Sequence, residues 1–215
     1  VPCSYKWRIG TVNSFFIGFI ATFIATTLGT LAALGLSRPH MPYKGLIMAI
    51  LISPMIVPLI ITAAGMFFFY ARINLVYSFT GIILAHVALA TPFVGITVTA
   101  TLVGFDMNMV KASQSLGARP VRTFFKVIMP LILPGVISGA LFAFITSFDE
   151  VVIVMFMASL DQLTIPKQMW AGIRQEISPV ILCMATCLVV LSILLLTTVE
   201  LLRRRSEKLR GITSR

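Results

Sequence analysis

The sequence predicts an all-α fold, a polytopic transmembrane helical bundle, and three observations carry that expectation. Its 215 residues are 58% hydrophobic and only 11% charged, whereas a soluble globular domain carries about 25% charged residues. Mean hydropathy is +1.01, so there is too little polar material to build the shell of a water-soluble fold. The apolar residues also gather into runs of the length a bilayer demands. About 20 residues rising about 1.5 Å each cross a hydrocarbon core of about 30 Å.

Five runs qualify, at 13–36, 46–70, 78–103, 134–158 and 180–202. The first closes on Ser37-Arg38-Pro39, a chain breaker that carries a charge. The second contains Pro54 and Pro58, so this helix is expected to kink or open, with protein neighbours satisfying the freed backbone groups. The third holds Pro92 and a single His86, read as hydrogen-bonded packing rather than as a proton relay. The fourth contains Asp149 and Glu150, and the fifth runs into Arg203-Arg204-Arg205 and a basic tail at 203–215. Three cysteines make no disulfide framework. Cys183 and Cys187, four apart, read as small buried hydrophobes rather than as a metal pair.

Seventeen basic residues against seven acidic give a net charge of +10. In a soluble domain that balance would suggest nucleic acid. Here the basic residues lie between and after the apolar runs and do not alternate with aromatics, so nucleic acid is set aside. Five crossings sort them into two groups. Arg38, Lys44, Lys111, Arg119, Arg122, Lys126 and the six in the tail face one side; Lys6, Arg8, Arg72, Lys167 and Arg174 face the other. Basic residues in short loops stay in the cytoplasm, which places the C-terminus inside and residue 1 outside. The chain begins Val1-Pro2, and one earlier span upstream, a sixth crossing outward, is expected.

Ala25, Gly29 and Ala33 recur every four residues, as do Gly135 and Gly139, followed by Ala140 and Ala143. Small residues on one face let two helices approach closely in lipid. Packing within the chain and a subunit contact both fit.

Two connections are long and patterned. Residues 104–129 read GFDMNMVKASQSLGARPVRTFFKVIM. A short helix is expected over Met107–Leu116, capped by Asp106 and stopped by a left-handed Gly117, then a break at Arg119-Pro120 and a second amphipathic piece over Val121–Ile128. This is either a bent knob on the cytoplasmic face or an amphipathic helix lying on lipid. In the outer stretch 159–179, Thr164 is expected to cap a helix with Pro166 in its first turn and Met169, Trp170 and Ile173 on one face.

Asp149 and Glu150 are the costliest residues, since a charge at a helix centre costs about 2.5–3.5 kcal/mol by insertion scales. Adjacent side chains point about 100° apart. One can therefore line a translocation path or gate while the other pairs with a neighbouring helix; polar glue between helices is the plainer alternative. No GxxxxGK[ST] loop, HExxH or nucleophile elbow occurs. No catalytic residue, no metal site and no enzymatic chemistry are expected.

Lys111-Ala112-Ser113-Gln114-Ser115-Leu116-Gly117-Ala118, followed by Val127-Ile128-Met129-Pro130-Leu131-Ile132-Leu133-Pro134-Gly135, resembles the EAA loop of the membrane subunits of type I ABC importers. Gly117, Pro130, Leu131, Pro134 and Gly135 match its fixed points, while Lys111 stands where that family has Glu and Ser113 where it usually has Ala. Asn13-Ser14 and Leu28-Gly29-Thr30-Leu31-Ala32-Ala33 are similar to the start of the second span in such permeases, and Phe142-Ala143-Phe144 with Ser147-Phe148-Asp149-Glu150 most resembles the spermidine/putrescine permease group. The resemblance implies one permease domain over 1–215 with five of six spans, in a bacterial inner membrane. It implies that 104–129 is a coupling loop, with Lys111, Ala112, Ser113, Leu116, Gly117, Ala118, Pro130, Pro134 and Gly135 as its site residues. The implied partners are a cytoplasmic ABC ATPase dimer, a second permease subunit (a sister chain) and an outer substrate-binding protein. ATP would be used by the ATPase, with no cofactor bound to this chain, and the cargo would be a polyamine such as spermidine or putrescine. Two rival classes stand beside this one: a secondary transporter relaying protons or ions through His86, Asp149 or Glu150, and a non-transporting membrane assembly protein.

Overall fold

The computed structural model describes residues 2–38, 41–103, 108–175 and 179–209. Among them four helical stretches are long and apolar enough to cross a membrane, and a bent helix pair makes a fifth crossing if counted as one. The centre of the bundle is α4 (Phe79–Val103), which packs against both α1 (Pro2–Leu36) and α7 (Met129–Phe148), while those two also pack on each other. Glycine permits this. A methyl group added at Gly29 would fall 2.6 Å from Val94 Cβ, and one at Gly139 would fall 3.0 Å from Val94 Cα. One at Gly135 would collide with the Thr101 hydroxyl. Ala25, Ala33 and Ala143 are fully buried in the same interfaces. Close approach of this kind replaces the apolar driving force that lipid removes.

The second apolar run is not one continuous helix. It forms α2 (Lys44–Ile56) and α3 (Leu59–Arg72), which meet at 106° across Val57-Pro58. Pro54, inside α2, lacks the amide that would bond the Ile50 carbonyl, and Ser53 Oγ donates to that carbonyl instead at 2.8 Å. Pro58 then starts α3, its carbonyl accepting from the amides of Ile61 and Thr62. The expected kink is a full break because two proline defects fall four residues apart.

The fourth run is corrected at both ends. The continuous helix stops at Phe148 rather than at Ala158, and Asp149 and Glu150 stand beyond it, ahead of a separate short helix α8 (Val152–Met157). At its start, α6 (Pro120–Thr123) passes through a π-helical turn at Phe124–Ile128 into α7. The apolar helix thus runs from Pro120 to Phe148, and the amphipathic piece expected at Val121–Ile128 is the first part of that continuous helical stretch. Pro130 cannot donate to the carbonyl four residues back, and the wider turn lies just before it.

The last helix, α10 (Pro179–Leu209), touches the bundle along Met184, Leu188, Leu191 and Leu195 and leaves most of its other side chains exposed. Cys183 and Cys187 are exposed free thiols, not the buried hydrophobes expected, because an apolar helix in lipid has no need to bury its outer face. The helix continues through the backbone of Arg203–Arg205 to Leu209. Residues 210–215 of the basic tail lie outside the described residues, as does Pro39 of the first chain breaker.

Candidate functional site

Two groups of residues occupy opposite ends of the bundle. The first is a knob built from α5 (Asn108–Ser115), the turn after it and α6. Asp106 and Met107, the expected cap and first residue, lie outside the described residues. Gly117 has φ +79°, and the turn is closed by its amide donating to the Gln114 carbonyl (2.9 Å) and the Ala118 amide donating to the Ser113 carbonyl (3.1 Å). A Cβ here would meet nothing within 4 Å, so glycine is needed for the left-handed backbone rather than for space. Leu116, beside the turn, is 89% exposed; Lys111, Ala112, Met109, Val121 and Phe125 are exposed as well, and Ala118 is half-buried. Ser113 turns the other way and shares a hydrogen bond of 3.0 Å with Thr123 Oγ1. Pro130 (exposed), Pro134 (half-buried) and Gly135 (buried) lie within α7, beyond the knob in the chain.

The second group gathers where α7 ends. Glu150 is only 7% exposed, and its Oε1 accepts the Ile153 amide at 2.9 Å at the start of α8. Lys167 Nζ donates to the carbonyls of Val154 (3.2 Å) and Ala158 (3.0 Å) at the other end of the same helix. A carboxylate at the N-terminus and an ammonium at the C-terminus both match the helix dipole. Lys167 lies outside the spans, and burial pulls its ammonium below the usual lysine range. Asp149, next to Glu150, ends α7 with an exposed side chain. The structure therefore gives the two neighbouring acids different surroundings, one engaged in a cap and one open.

Polar side chains tie this end to distant parts of the chain. The Tyr77 amide, at φ 59°, donates to the Met157 carbonyl, while Gln162 Nε2 donates to the Tyr77 carbonyl and Gln162 Oε1 accepts the Ser159 amide. Asn13 Nδ2 donates to the carbonyls of Asp161 and Leu163, each at 3.0 Å. Ser14 Oγ accepts the Ile165 amide, the first of α9 (Ile165–Gln175). The cap expected from Thr164 therefore comes from Ser14, and the Thr164 hydroxyl is buried without a partner. Met169 packs inward against Phe144 and Phe148, but Trp170 and Ile173 are exposed, with the Arg174 guanidinium 5.4 Å from the Trp170 ring centre.

His86 is buried and shares a hydrogen bond of 2.8 Å with Ser147 Oγ, joining α4 to α7. Phe15 of α1 packs on Phe148 at 5.0 Å and Phe19 on Phe144 at 5.2 Å between ring centres, both pairs tilted. Phe15, Phe19 and Phe144 border an open cavity of about 380 Å³ whose lining α10 joins with Leu191 and Leu195. Lys167 and Gln162 were missed in the sequence because their partners are backbone carbonyls and amides, which no residue pattern displays. Asn13 and Ser14 did leave a signal, a polar pair opening an apolar run.

A model of the family described as binding-protein-dependent transport system inner membrane component matches residues 25–208. The spermidine/putrescine transport system permease protein PotC of Haemophilus influenzae is 31% identical over 196 residues, 91% of this chain and 76% of that protein. The putrescine transport system permease protein PotI of Escherichia coli is 29% identical over 178 residues, 79% of this chain and 63% of that one. Among solved structures, the MetNI methionine ABC transporter in inward facing conformations aligns over 99% of both chains with a TM-score of 0.67 at 19% identity. An importer of the acidic polysaccharide alginate aligns over 97% of this chain and 76% of its own with a TM-score of 0.65 at 15% identity. At those identities the two structures bear on the fold alone, and they agree with the bundle described above. The knob, its Gly117 turn and the α7 end with Asp149 and Glu150 all fall inside the family match, which favours a transport-system component over a secondary transporter or an assembly protein. This chain belongs to the family of inner-membrane components of binding-protein-dependent transport systems and is a membrane-spanning permease subunit.

Proposed function

We propose that the chain is one permease subunit of an ATP-driven importer of polyamines, seated in a bacterial inner membrane with its knob and C-terminus in the cytoplasm. The observation that carries this reading is the likeness, over most of the chain, to permeases named for spermidine and putrescine. ATP is hydrolysed by a separate ABC ATPase dimer that grips the exposed knob around Leu116 and Gly117, and no cofactor binds this chain directly. A second, sister permease completes the path, and an outer binding protein selects the cargo.

The far end of α7 supplies what such a cargo needs. A polyamine carries two or more positive charges, and taking them out of water unaided costs far more than any single contact returns. The exposed carboxylate of Asp149 offsets part of that cost, while Glu150 is occupied with the α8 cap. Only a weak site suits a passage, because tight binding would hold the cargo.

The test is uptake of labelled spermidine and putrescine by cells carrying the complete transporter, with and without its binding protein. Uptake that needs both ATP and the binding protein is expected. A transporter that moves neither polyamine but moves an uncharged solute would overturn the cargo assignment. Orientation is read separately by replacing Cys3 and placing a single cysteine at Arg8 or at Arg204. With Cys183 and Cys187, both exposed thiols, replaced as well, an impermeant thiol reagent added outside should label only the first, and the reverse pattern would invert the topology.

A further inference from the structure

We infer that the hydroxyl pair Ser113–Thr123 is the strut that locks α5 to the long helix of the bundle, making it a positioning contact through which movement at the knob reaches Asp149. The inference rests on the reading of the knob as the ATPase dock. It concerns what happens after docking.

On its own α5 has little hold on the protein. It buries no residue, and it packs on α6 and on the π-helical turn. Between α5 and α6 the chain passes through Gly117, whose left-handed turn has open space around it. Two backbone hydrogen bonds, from the amides of Gly117 and Ala118, close that turn, and they alone set its angle unless a side chain braces it. Across the joint the side chains of Ser113 and Thr123 meet at 3.0 Å. Thr123 is only 2% exposed, so water does not compete strongly for its hydroxyl, and the bond keeps more of its strength than a surface contact would.

Thr123 also lies near the start of the long helix. It is the last residue of α6, directly before the π-helical turn, and the helical stretch Pro120–Phe148 ends one residue short of Asp149. Twenty-nine residues at about 1.5 Å of rise make a rod of about 43 Å. A displacement delivered to Thr123 is thus carried across the membrane to the exposed acid. Without the strut, only the backbone hydrogen bonds of the Gly117 turn resist a push on α5, and part of the push is lost there before it reaches the rod.

The experiment uses the complete transporter in proteoliposomes, with labelled spermidine uptake and ATP hydrolysis measured on the same preparation. Ser113→Ala and Thr123→Val should each lower the cargo moved per ATP by about three- to tenfold, the scale on which one shielded hydroxyl bond shifts an equilibrium. The ATPase subunits should remain bound. The double variant should be no worse than either single one, because both remove the same bond, and Ser113→Thr, which keeps the hydroxyl, should restore the ratio. Single effects that multiply in the double variant, or a normal ratio in both, would overturn the strut. Gly117→Trp separates this from the docking reading. Should it drive off the ATPase while both hydroxyl variants transport normally, docking stands and the strut fails. Should Gly117→Trp leave the complex and the ratio intact, the docking reading falls and the strut with it.

Discussion

Ser14 Oγ accepts the backbone amide of Ile165 at 2.9 Å across 151 residues of chain. The first turn of α9 is thereby capped by a side chain of α1, and the neighbouring Asn13 holds the carbonyls of Asp161 and Leu163. The far-end segment is fastened to the bundle by two adjacent residues.

Ser14→Ala leaves the Ile165 amide buried without an acceptor, a loss of about 1–3 kcal/mol. The expected outcome is a lower thermal midpoint in detergent and faster hydrogen exchange at the Ile165 amide, with exchange in α5 unchanged. Ser14→Thr keeps the oxygen and should behave nearly as the parent. Exchange at Ile165 that does not respond to Ser14→Ala would show that the cap bears no load.

The glycine contacts around Val94 give a second prediction. Gly29→Ala gains about 0.5–1 kcal/mol from helix preference, but forces a methyl group to within 2.6 Å of Val94 Cβ, and overpacking costs about 1–3 kcal/mol. The clash wins, so the variant should be less stable. Val94→Ala in the same chain opens the space and should recover most of the loss. Thermal unfolding of the two variants in detergent decides it; a Gly29→Ala protein as stable as the parent would mean that α1 and α4 are farther apart.

What could be read from residues alone and what could not divide along a physical line. Apolar length and Gly117 announce themselves, because a bilayer thickness and a left-handed backbone each require a particular residue type. The small residues Gly29, Gly135 and Gly139 marked close approach but not their partners, which are Val94 and Thr101. Hydropathy overran at Asp149 because α8 is as apolar as α7, and a break in the helix direction leaves no trace in a count of apolar residues. Ser113 stood out only as a departure from a family pattern; its bond to Thr123 depends on how the chain folds back after Gly117.

The separated acids Asp149 and Glu150 give the third prediction. Asp149→Asn removes charge at nearly constant volume, and if the carboxylate offsets about 1.4 kcal/mol of the barrier, polyamine uptake should fall about tenfold. Assembly with the ATPase and affinity for the binding protein should stay intact. Glu150→Gln instead weakens the dipole contact at the start of α8, costing about 0.3–1 kcal/mol of stability, seen in the thermal midpoint. Slow uptake in Glu150→Gln with normal uptake in Asp149→Asn would exchange the two roles.

Lys167 supplies a pH dependence. Burial holds its pKa below the ordinary 10.5, so the folded protein releases this proton at a lower pH than the unfolded chain. Between the folded value and 10.5 the unfolded chain binds more protons, and stability contributed by this group rises with pH. The difference in thermal midpoint between the parent and Lys167→Met, followed upward to pH 10.5, should therefore grow in favour of the parent. A difference that shrinks over that window would place the ammonium in a better solvated site than the carbonyls of Val154 and Ala158 provide.

At the 106° elbow between α2 and α3, the Pro54 carbonyl has a proline four residues ahead of it, Pro58, and so lacks the amide a helix would supply. Hydrocarbon offers no substitute donor. Lipid tails cannot wet this sector of the rim without cost, whereas α10 bathes in them freely along its apolar flank. The elbow between α2 and α3 thus asks for water or protein beside it, where the apolar flank of α10 asks for neither.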